Sequence, residues 1–340
     1  MKRVGIIGVT GKAGAELARL LLKHPEFELT EVSARTDAGK PLADVLPYLH
    51  QYTLTIEPEI GDADVFFSAL PAKASAEACA PLVARGKKVV DLSADFRFKN
   101  RKVYEEAYGG PHPHPELLAS AAYGLTELHR AEVTQAQLVG NPGCYPTATI
   151  LALAPAICAG IASPNIIVDA KSGISGAGRT PTMRTNYVEI NENVVPYRYE
   201  GHQHEPEMVQ ELNALRPRGI KPVQITFVPH LVPMTRGILA NCYTAAIRPT
   251  STAELVALYR DFYSDKPFVR VLDRAPETKW TYGNNMVYVT PYFHERSGNL
   301  ILMAAEDNLG KGAAGQALQN ANLMCGLPEE MGLDIGAVYP

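Results

Sequence analysis

Short apolar runs alternate with helical periodicity over the first 143 residues of the chain. Residues 13–23 place Leu17, Leu20 and Leu21 on one face of a helix, directly after a β-rich run at the N-terminus. Several later runs are continuously apolar, as in sheets that are covered on both faces. The alternation therefore predicts an α/β fold with a doubly wound parallel sheet. The predicted strands are residues 2–9, 28–34, 53–57, 64–70, 87–93 and 136–140.

The pattern changes after residue 143. Longer strands follow in which apolar and polar residues alternate, which is typical of a mixed or antiparallel sheet. We therefore predict two domains, the parallel one at 1–143 and an α+β domain at 144–309, with a C-terminal helix in 310–340 that packs back on the first. The predicted elements are strands at 165–173, 222–234, 237–248, 287–295 and 298–307, and helices at 147–159, 205–215, 252–264 and 313–324.

Composition narrows the class of protein. The 340 residues exceed the size at which one hydrophobic core usually stops growing, and 46% hydrophobic with 20% charged residues is typical of a globular protein. A net charge of -4 offers no broad basic field, which argues against a nucleic-acid partner. No apolar run is long enough for a membrane span, and the N-terminus leads straight into a glycine loop, so we predict a cytoplasmic protein without membrane contact.

A glycine-rich loop joins the first predicted strand to the first predicted helix. Its glycines let the backbone approach a pyrophosphate closely, and the N–H groups at the helix N-terminus complete an anion site. The spacing is GxxGxxG and not GxGxxG, so the position after an N-terminal strand favours a dinucleotide more than the motif does. The predicted cofactor contacts are Gly8, Thr10, Gly11, Lys12, Ala13 and Gly14.

The end of the second strand indicates which dinucleotide binds. An NAD site usually places a carboxylate there, whereas NADP needs a cation and hydroxyl groups for its 2′-phosphate. Arg35 with Ser33 and Thr36 can make charge-assisted hydrogen bonds to that phosphate, so we predict NADP. Glu31 and Asp37 keep NAD as the alternative.

Cys144 has a setting that the other four cysteines lack. No CxxC pair occurs, so we expect free thiols and no disulfide framework. Cys144 follows a predicted strand and precedes a predicted helix whose first turn carries Pro146. A thiol there lies at the carboxyl end of a parallel sheet, near a positive helix terminus that lowers its pKa. Cys144 is therefore a candidate nucleophile, and the alternative is a small buried hydrophobic residue.

The segment GHQHEPE, residues 201–207, offers the acid/base partner that a thiolate nucleophile needs. It contains His202 and His204 just before a predicted helix, and Glu207 stands three residues after His204, where one can orient the other. The spacing does not choose between the two histidines. A His-x-His metal pair is the competing interpretation, but the sequence lacks a convincing third ligand, and we predict no metal site.

Two further segments can hold an anion. KSGISGAGRT, residues 171–180, is rich in Gly and Ser and ends in Arg179 and Thr180, so it is either a flexible connection or a substrate loop with donors for an oxyanion. Arg97 follows the strand at 87–93 and is predicted at the same end of the sheet as Cys144. It is a second anion site or a structural partner of Asp95.

Together these motifs resemble the N-acetyl-gamma-glutamyl-phosphate reductases. The matching segments run in family order along essentially the whole chain. They include VVDLSADFRF (89–98), GNPGCYPTAT (140–149), DAKSGISGAGR (169–179), GHQHEPEM (201–208) and DNLGKGAAGQALQNANLM (307–324). The resemblance implies a Rossmann-like domain and an α+β catalytic and dimerisation domain with a mixed sheet, like that of aspartate-semialdehyde dehydrogenase.

The resemblance also implies an activity, NADPH-dependent reductive dephosphorylation of an acyl phosphate to a semialdehyde in arginine biosynthesis, by a homodimer or homotetramer. Cys144 would expel phosphate and form a thioester. His204 would transfer protons, with Glu207 orienting it and His202 as the fallback, and Arg97 would hold the substrate phosphate. The other assigned residues are Ser175, Gly176 and Asn308 for the cofactor, and Asn141, Ser172, Gly173 and Arg179 for the substrate.

Other interpretations stay open at this point. A reductase of acetyl-aminoadipyl or aspartyl phosphate differs by methylene groups, each worth only about 1–3 kcal/mol of discrimination. An NADP-binding redox sensor that uses Cys144 would have no need of the histidine segment, and a cysteine hydrolase or acyltransferase would have no need of the glycine loop. Lys12 and Ala13 stand where the family commonly has an aromatic and a hydroxyl residue, which affects the details of cofactor contact.

Overall fold

The computed structural model describes residues 1–180 and 182–339, which form two compact units. The first unit contains Met1–Gly143 and Ala313–Ile335, and the second contains Cys144–Gly312 with the residues from Gly336 onward. Pro181 and Pro340, which fall within the predicted segments 144–309 and 310–340, lie outside the described residues.

A sheet of seven strands forms the centre of the first unit. They are β1 (Lys2–Ile7), β2 (Phe27–Ser33), β3 (Ile56–Glu57), β4 (Val65–Ser68), β5 (Lys88–Asp91), β6 (Ala122–Tyr123) and β7 (Leu138–Gly140). Their order is β3-β2-β1-β4-β5-β7-β6, and all neighbouring pairs are parallel. The order reverses between β1 and β4, which is where ligands bind in doubly wound sheets. The predicted parallel sheet is confirmed.

Seven strands form a second, mixed sheet in the second unit. They are β8 (Asn165–Ser172), β9 (Val195–Pro196), β10 (Gln224–Leu231), β11 (Ile238–Ala245), β12 (Val269–Val271), β13 (Val287–His294) and β14 (Asn299–Glu306). The order is β12-β13-β14-β11-β8-β10-β9, with β8/β10 and β12/β13 parallel and the other pairs antiparallel. The predicted mixed sheet is confirmed.

Helices surround both sheets. They are α1 (Lys12–Leu21), α2 (Leu42–Val45), α3 (Ala74–Ala84), α4 (Arg101–Tyr108), α5 (Thr126–Gln135), α6 (Cys144–Cys158), α7 (Tyr187–Ile190), α8 (Glu205–Leu215), α9 (Thr252–Phe262) and α10 (Gly315–Met324). All four residues of β4 are buried, so helices cover both faces of the first sheet. In the second unit α6, α8 and α9 pack on the sheet, and alternate residues of β8 and β10 remain exposed or half-buried.

Helix α10 is buried in the first unit, although several of its side chains are polar. All ten of its residues are buried. The Gln319 amide donates to Thr126 Oγ1 at 2.6 Å, and the Asn320 amide donates to the Gly124 carbonyl at 2.9 Å. Buried amides are tolerated because they find hydrogen-bond partners. These bonds tie a C-terminal helix to the segment that begins α5.

The boundaries of several elements differ from those predicted. The helix predicted at 147–159 begins instead at Cys144, because the missing N–H of Pro146 is not needed within a first turn. The strand predicted at 53–57 is reduced to the two residues of β3 at the sheet edge. The short elements α4, β6 and α5 were not predicted, since two to ten residues of weak periodicity carry little signal.

Candidate active site

Cys144 is the first residue of α6 and is partly exposed. The turn Gly310–Ala314 passes close to it: a Cβ on Gly312 would lie 2.8 Å from Cys144 Cβ and 2.7 Å from Glu306 Oε1. Glycine is required there because any side chain would collide. A segment more than 160 residues later in the sequence thus lies next to Cys144.

The other four cysteines are all affected by burial. Burial raises the pKa of the Cys79, Cys158, Cys242 and Cys325 thiols, which keeps them protonated. A thiol must be deprotonated to act as a nucleophile. These four cysteines are therefore poorly suited to nucleophilic chemistry.

A cavity of about 420 Å³ lies beside Cys144 within the second unit. The structure brings five of the predicted site residues to its wall: Cys144, Ser172, Gly176, His202 and His204. They come from β8, from the turn that follows it, and from the ends of α6 and α8. The cavity thus combines a thiol with two imidazoles.

His202 is the more buried of the two histidines, with 6% of its surface exposed. Its ring lies between Tyr145, Tyr197 and Phe227, with centroid distances of 5.2 to 5.9 Å. Burial, followed by the charge of Arg198, lowers the pKa of His202 to about 4. Its Nδ1 accepts a hydrogen bond from the His204 backbone N–H at 3.1 Å, so the neutral ring carries its proton on Nε2.

His204 immediately precedes α8 and is less buried than His202. Its ring centroid lies 4.8 Å from that of His202 and 6.1 Å from that of Tyr145. Glu207 is fully buried in the first turn of α8. His204 therefore presents an imidazole to the cavity, three residues before a buried carboxylate in the sequence.

Two tyrosines line the same cavity. The Tyr197 hydroxyl donates to the Tyr145 hydroxyl at 3.1 Å, and the Tyr145 hydroxyl donates to the His230 carbonyl at 3.5 Å. Burial raises the pKa of Tyr197 to about 12 and raises that of Tyr145 further. Both hydroxyls are therefore neutral hydrogen-bonding groups near pH 7.

The segment after β8 is held by hydrogen bonds. Gly173 N–H donates to the Gly237 carbonyl at 2.9 Å, and Ser175 N–H donates to the Thr235 carbonyl at 3.0 Å. Asn308 donates from Nδ2 to Ser175 Oγ at 2.8 Å and accepts from Gly237 N–H at 2.7 Å. Of the predicted residues here, Ser175 and Asn308 are thus bonded to each other.

The same loop becomes exposed towards its end. Ser172 is buried and donates from Oγ to the Gly173 carbonyl at 3.0 Å. Gly176 and Arg179 are exposed. The first half of the loop is therefore held by hydrogen bonds, and the second half, which includes Arg179, is exposed.

The glycine loop of the first unit packs closely on its own backbone. Gly8 has φ +83° and donates from N–H to the Ser33 carbonyl at 2.8 Å. A Cβ on Gly14 would lie 2.4 Å from the Gly8 carbonyl oxygen, so only glycine lets α1 begin so close to the turn. Lys12 begins α1, and burial lowers its pKa. Thr10 and Gly11 complete the turn, and Ala13 is the second residue of α1.

A cavity of about 600 Å³ lies beside this loop in the first unit. Gly8, Ser33 and Arg35 line it, and so does Arg85 from the end of α3. Thr36 is exposed next to Arg35. The wall thus combines Gly8 of the loop, the Ser33 hydroxyl and two guanidinium groups with the carboxylates of Glu59 and Glu77.

The two carboxylates that would favour NAD have partners of their own. Glu31 accepts hydrogen bonds from the Gly61 and Asp62 N–H groups at 2.8 and 2.9 Å. Asp37 forms an ion pair with Lys40 at 3.0 Å. Arg35 is therefore the charged group of this segment that faces the cavity.

Arg97 is 7% exposed and lies in the first unit. Its Nε donates to the Asn141 carbonyl at 2.7 Å and its Nη2 donates to the Leu92 carbonyl at 2.9 Å. The Asn141 side chain is itself bonded, because Nδ2 donates to the Ala313 carbonyl at 3.1 Å and Oδ1 accepts from Asn320 at 2.9 Å. The contact of Asn141 with Arg97 is thus made by its backbone.

Asp95, the predicted structural partner of Arg97, binds the N-terminus of α3. Its carboxylate accepts from Lys73 N–H at 2.9 Å, from Ala76 N–H at 2.8 Å and from the Tyr104 hydroxyl at 2.5 Å. The N-terminus of α3 therefore binds this carboxylate, as helix N-termini bind anions.

Among residues 1–180 and 182–339, no group of three or more His, Cys, Asp or Glu side chains is arranged to hold a metal ion. None of the helices described has the length and apolar character that a membrane span requires.

Comparison with known proteins identifies the family. A family model described as "Semialdehyde dehydrogenase, NAD binding domain" matches residues 3–136, and one described as "Semialdehyde dehydrogenase, dimerisation domain" matches residues 144–308. A relative from Dehalococcoides mccartyi named N-acetyl-gamma-glutamyl-phosphate reductase is 49% identical, with 99% of each chain covered. A relative of the same name from Moorella thermoacetica is 46% identical, with 100% of each chain covered.

The chain belongs to the N-acetyl-gamma-glutamyl-phosphate reductase family. As a member of this reductase family it is an oxidoreductase, and its cofactor is NAD(P). The fold is that of aspartate semialdehyde dehydrogenase II from Vibrio cholerae, whose structure matches with a TM-score of 0.70 at 18% identity and covers 96% of this chain and 98% of that one. A redox sensor without catalytic activity is therefore the wrong interpretation.

Sequence reasoning missed several residues that line the two cavities of this family member. Tyr145, Tyr197, Arg184 and Arg198 line the cavity beside Cys144, and Arg85 lines the one beside the glycine loop. Tyr145 could have been noticed as the direct neighbour of Cys144. The pair Tyr197-Arg198 stands just before the histidine segment, where an aromatic and a cationic residue together indicate a binding surface.

Proposed function

We propose that the protein catalyses NADPH-dependent reductive dephosphorylation of N-acetyl-gamma-glutamyl phosphate to N-acetylglutamate semialdehyde, in arginine biosynthesis. The observation that carries the proposal is the cavity of about 420 Å³ with Cys144, His202 and His204 on its wall. A thiol and an imidazole in one cavity are the groups that covalent acyl transfer requires. The names of the full-length relatives supply the substrate.

Cys144 is the nucleophile in this proposal. Its thiolate attacks the acyl carbon, the C–O bond to phosphate breaks with its electron pair, and phosphate leaves, so that the acyl group is held as a thioester. The N-terminus of α6 favours the thiolate, because the helix dipole stabilises negative charge there. A thioester carbonyl accepts hydride more readily than a carboxylate does.

NADPH, when bound, supplies the hydride that reduces the thioester carbonyl. The glycine loop and the adjoining cavity of about 600 Å³ suit its pyrophosphate and adenosine. Ser33, Arg35 and Thr36 bind the 2′-phosphate, and the engagement of Glu31 with backbone N–H groups supports NADP over NAD. Lys12 and the N–H groups that begin α1 hold the pyrophosphate.

His204 is the proton donor and acceptor. It protonates the oxygen that gains charge on reduction, then takes a proton from the resulting hydroxyl as the C–S bond breaks, which releases the aldehyde and restores the thiolate of Cys144. A pKa of about 4 leaves His202 almost wholly neutral near pH 7, which disfavours it as the proton donor. His202 positions His204 through its Nδ1 bond to the His204 N–H, and Glu207 orients the imidazole.

Arg97 binds the substrate phosphate, and Asn141 positions it by accepting its Nε hydrogen bond. In the loop after β8, Ser172 and Gly173 contact the acyl group in this proposal, and Ser175 and the exposed Gly176 contact the cofactor. The hydrogen bond from Asn308 to Ser175 supports a fixed position for Ser175. The exposed Arg179 contributes positive charge for the anionic substrate.

A homodimer or homotetramer is the proposed assembly. Ile167, Tyr243, Ile301 and Tyr292 lie opposite one another in register across four neighbouring strands of the second sheet, and Ile167 and Tyr292 are 52% and 43% exposed. A row of large apolar side chains on an open sheet face is typical of a subunit contact. The predicted cytoplasmic location stays a prediction.

The reverse reaction tests the proposed function. Purified protein with N-acetylglutamate semialdehyde, inorganic phosphate and NADP should form NADPH, and omission of phosphate should stop the reaction. Parallel assays with the shorter aspartate semialdehyde, the longer N-acetylated aminoadipate semialdehyde, and NAD define the chain length and the cofactor. Absence of phosphate-dependent reduction from a protein that binds NADP would contradict the proposal, and faster reaction of another aldehyde would change its substrate.

A further inference from the structure

Two arginines lie on the wall of the cavity beside Cys144, Arg184 and Arg198. Both belong to the excursion between β8 and α8. The described lining residues include no aspartate and no glutamate, so the charge on this wall is positive. A cavity with this charge suits an anionic ligand.

Arg198 is held in an unusual conformation. Its φ is +47°, in the left-handed region that residues with a Cβ seldom occupy. Its Nη1 donates to Gln203 Oε1 at 2.9 Å, and Gln203 also lines the cavity, between His202 and His204 in the sequence. The hydrogen bond to Gln203 thus joins the guanidinium to the histidine segment, and the backbone of Arg198 is strained. Strained backbone is often found at functional sites.

The guanidinium keeps donors for a ligand. Arginine carries five N–H donors in a planar fork, and the bond to Gln203 uses one of them. The remaining edge matches the two oxygens of a carboxylate. Arg198 is also close enough to His202 to lower the pKa of that histidine, which places its charge near the reacting groups.

The substrate of the proposed reaction has two anionic ends. One is the acyl phosphate, for which Arg97 is already proposed. The other is the carboxylate at the far end of the carbon chain, which enters the same cavity once the acyl group is on Cys144. Without a cation on the cavity wall, that carboxylate would lose its hydration on entering the cavity and gain no oppositely charged partner.

We propose that Arg198 binds the carboxylate of the substrate and that Gln203 positions Arg198 for this contact. The inference rests on the proposed function and extends it. In this proposal Arg198 gives the enzyme its preference for an aldehyde in which three carbon atoms separate the aldehyde carbon from the carboxylate carbon.

Arg198→Asn is the test variant, because asparagine tolerates the left-handed conformation and lacks the charge. Two aldehydes are compared in the reverse reaction: N-acetylglutamate semialdehyde and 4-acetamidobutanal, which is the same molecule without its carboxylate. For the first aldehyde, kcat/KM should fall on the order of 10- to 100-fold, through its KM. For the second aldehyde the variant should match the wild type, and the KM for phosphate should stay unchanged.

Matched variants sharpen the result. Arg198→Lys keeps the charge and loses the fork, so it should recover part of the loss. Gln203→Ala should raise the same KM by a smaller factor. Arg218→Gln removes an equal charge from an exposed site beyond the far end of α8 and should behave as wild type. Thermal midpoints of all variants show whether each one is folded.

Three outcomes would overturn the inference. A raised KM for phosphate would assign Arg198 to the phosphate, an equal loss with both aldehydes would make its role structural, and an unchanged Arg198→Asn would remove it from the site. The wild-type assay separates these from failure of the proposed function. An inactive wild type contradicts the proposed function itself, whereas an active wild type with an unaffected variant contradicts only the assignment of Arg198.

Discussion

The glycine loop in the first unit and the cavity beside Cys144 in the second unit depend on different parts of their residues, the backbone in one and the side chains in the other. The loop is made of backbone: Gly8 turns with φ +83°, and Gly14 leaves room for the Gly8 carbonyl. The cavity is made of side chains that come from the start of α6, the end of β8 and the approach to α8. One site needs the absence of side chains and the other needs particular ones.

This difference indicates how each site fails. A backbone site is broken by added volume, because neighbouring backbone atoms have nowhere to move. A side-chain site is broken by the loss of one functional group and tolerates much of what surrounds it. The two sites should therefore respond to different substitutions, and the expected effects decrease in the order that follows.

Cys144→Ala should abolish the chemistry of the side-chain site and leave the backbone site intact. We expect a loss of kcat on the order of 10³-fold or more, because no other group can form the thioester. NADP affinity, measured by fluorescence titration, should equal that of the wild type. Cys158→Ala is the matched control, since it lies at the other end of α6. Activity that survives in Cys144→Ala would exclude the thioester mechanism.

His204→Asn should lower kcat by about 10²- to 10⁴-fold, the usual contribution of a general acid or base. His202→Asn should cost less, because His202 acts through the position of His204. The pH dependence of kcat/KM should lose its histidine limb in His204→Asn and keep it in His202→Asn. If only the His202 variant loses that limb, the assignment of the proton donor is wrong.

Gly14→Ala should damage the backbone site. Its Cβ would lie 2.4 Å from the Gly8 carbonyl oxygen and 2.9 Å from Val9 Cα, so the loop must move. We expect NADP to bind at least about 10-fold more weakly and a loss of stability of about 1–3 kcal/mol. Gly336→Ala is the control, because an added Cβ there meets nothing within 4 Å. If Gly14→Ala binds NADP as tightly as the wild type does, the close backbone packing of the glycine loop is not needed for cofactor binding.

Arg35→Gln tests the one charged side chain on which the selectivity of the backbone site is proposed to depend. The KM for NADP should rise about 10-fold, the value of one or two charge-assisted hydrogen bonds, and the KM for NAD should stay unchanged. Arg101→Gln, an exposed arginine on α4, is the charge-matched control. Equal changes for both cofactors would mean that Arg35 does not contact the 2′-phosphate.

A separate effect, on stability and not on activity or binding, is expected at low pH from the buried His202. The pKa of His202 is lowered to about 4 in the folded protein, from 6.5. The unfolded chain therefore takes up a proton first as the pH falls below about 6.5, and stability is lost down to about pH 4. Between pH 8 and pH 5 the free energy of unfolding should fall on the order of 2 kcal/mol more in the wild type than in His202→Asn. Parallel pH dependences in denaturant titrations would contradict the burial of His202.

Local periodicity predicted the two sheets because each carries its own signature. The four apolar residues of β4 are buried on both faces, as in a parallel sheet, whereas β8 and β10 alternate between buried and accessible residues. The glycine loop and Cys144 were also visible, since a tight turn needs glycine and only one cysteine stands between a strand and a helix. The short strands β6, β9 and β12 were not, because two or three residues show no period.

The sequence by itself determined the class of each sheet, the glycine loop and the candidate nucleophile, because these depend on neighbours along the chain. Only the tertiary structure decided which histidine is buried, since Phe227 and Tyr145 enclose His202 from distant segments. It also placed Arg198 on the wall of the cavity. Burial, pKa and cavity walls are set by contacts between residues far apart in the sequence, and local patterns carry no record of those contacts.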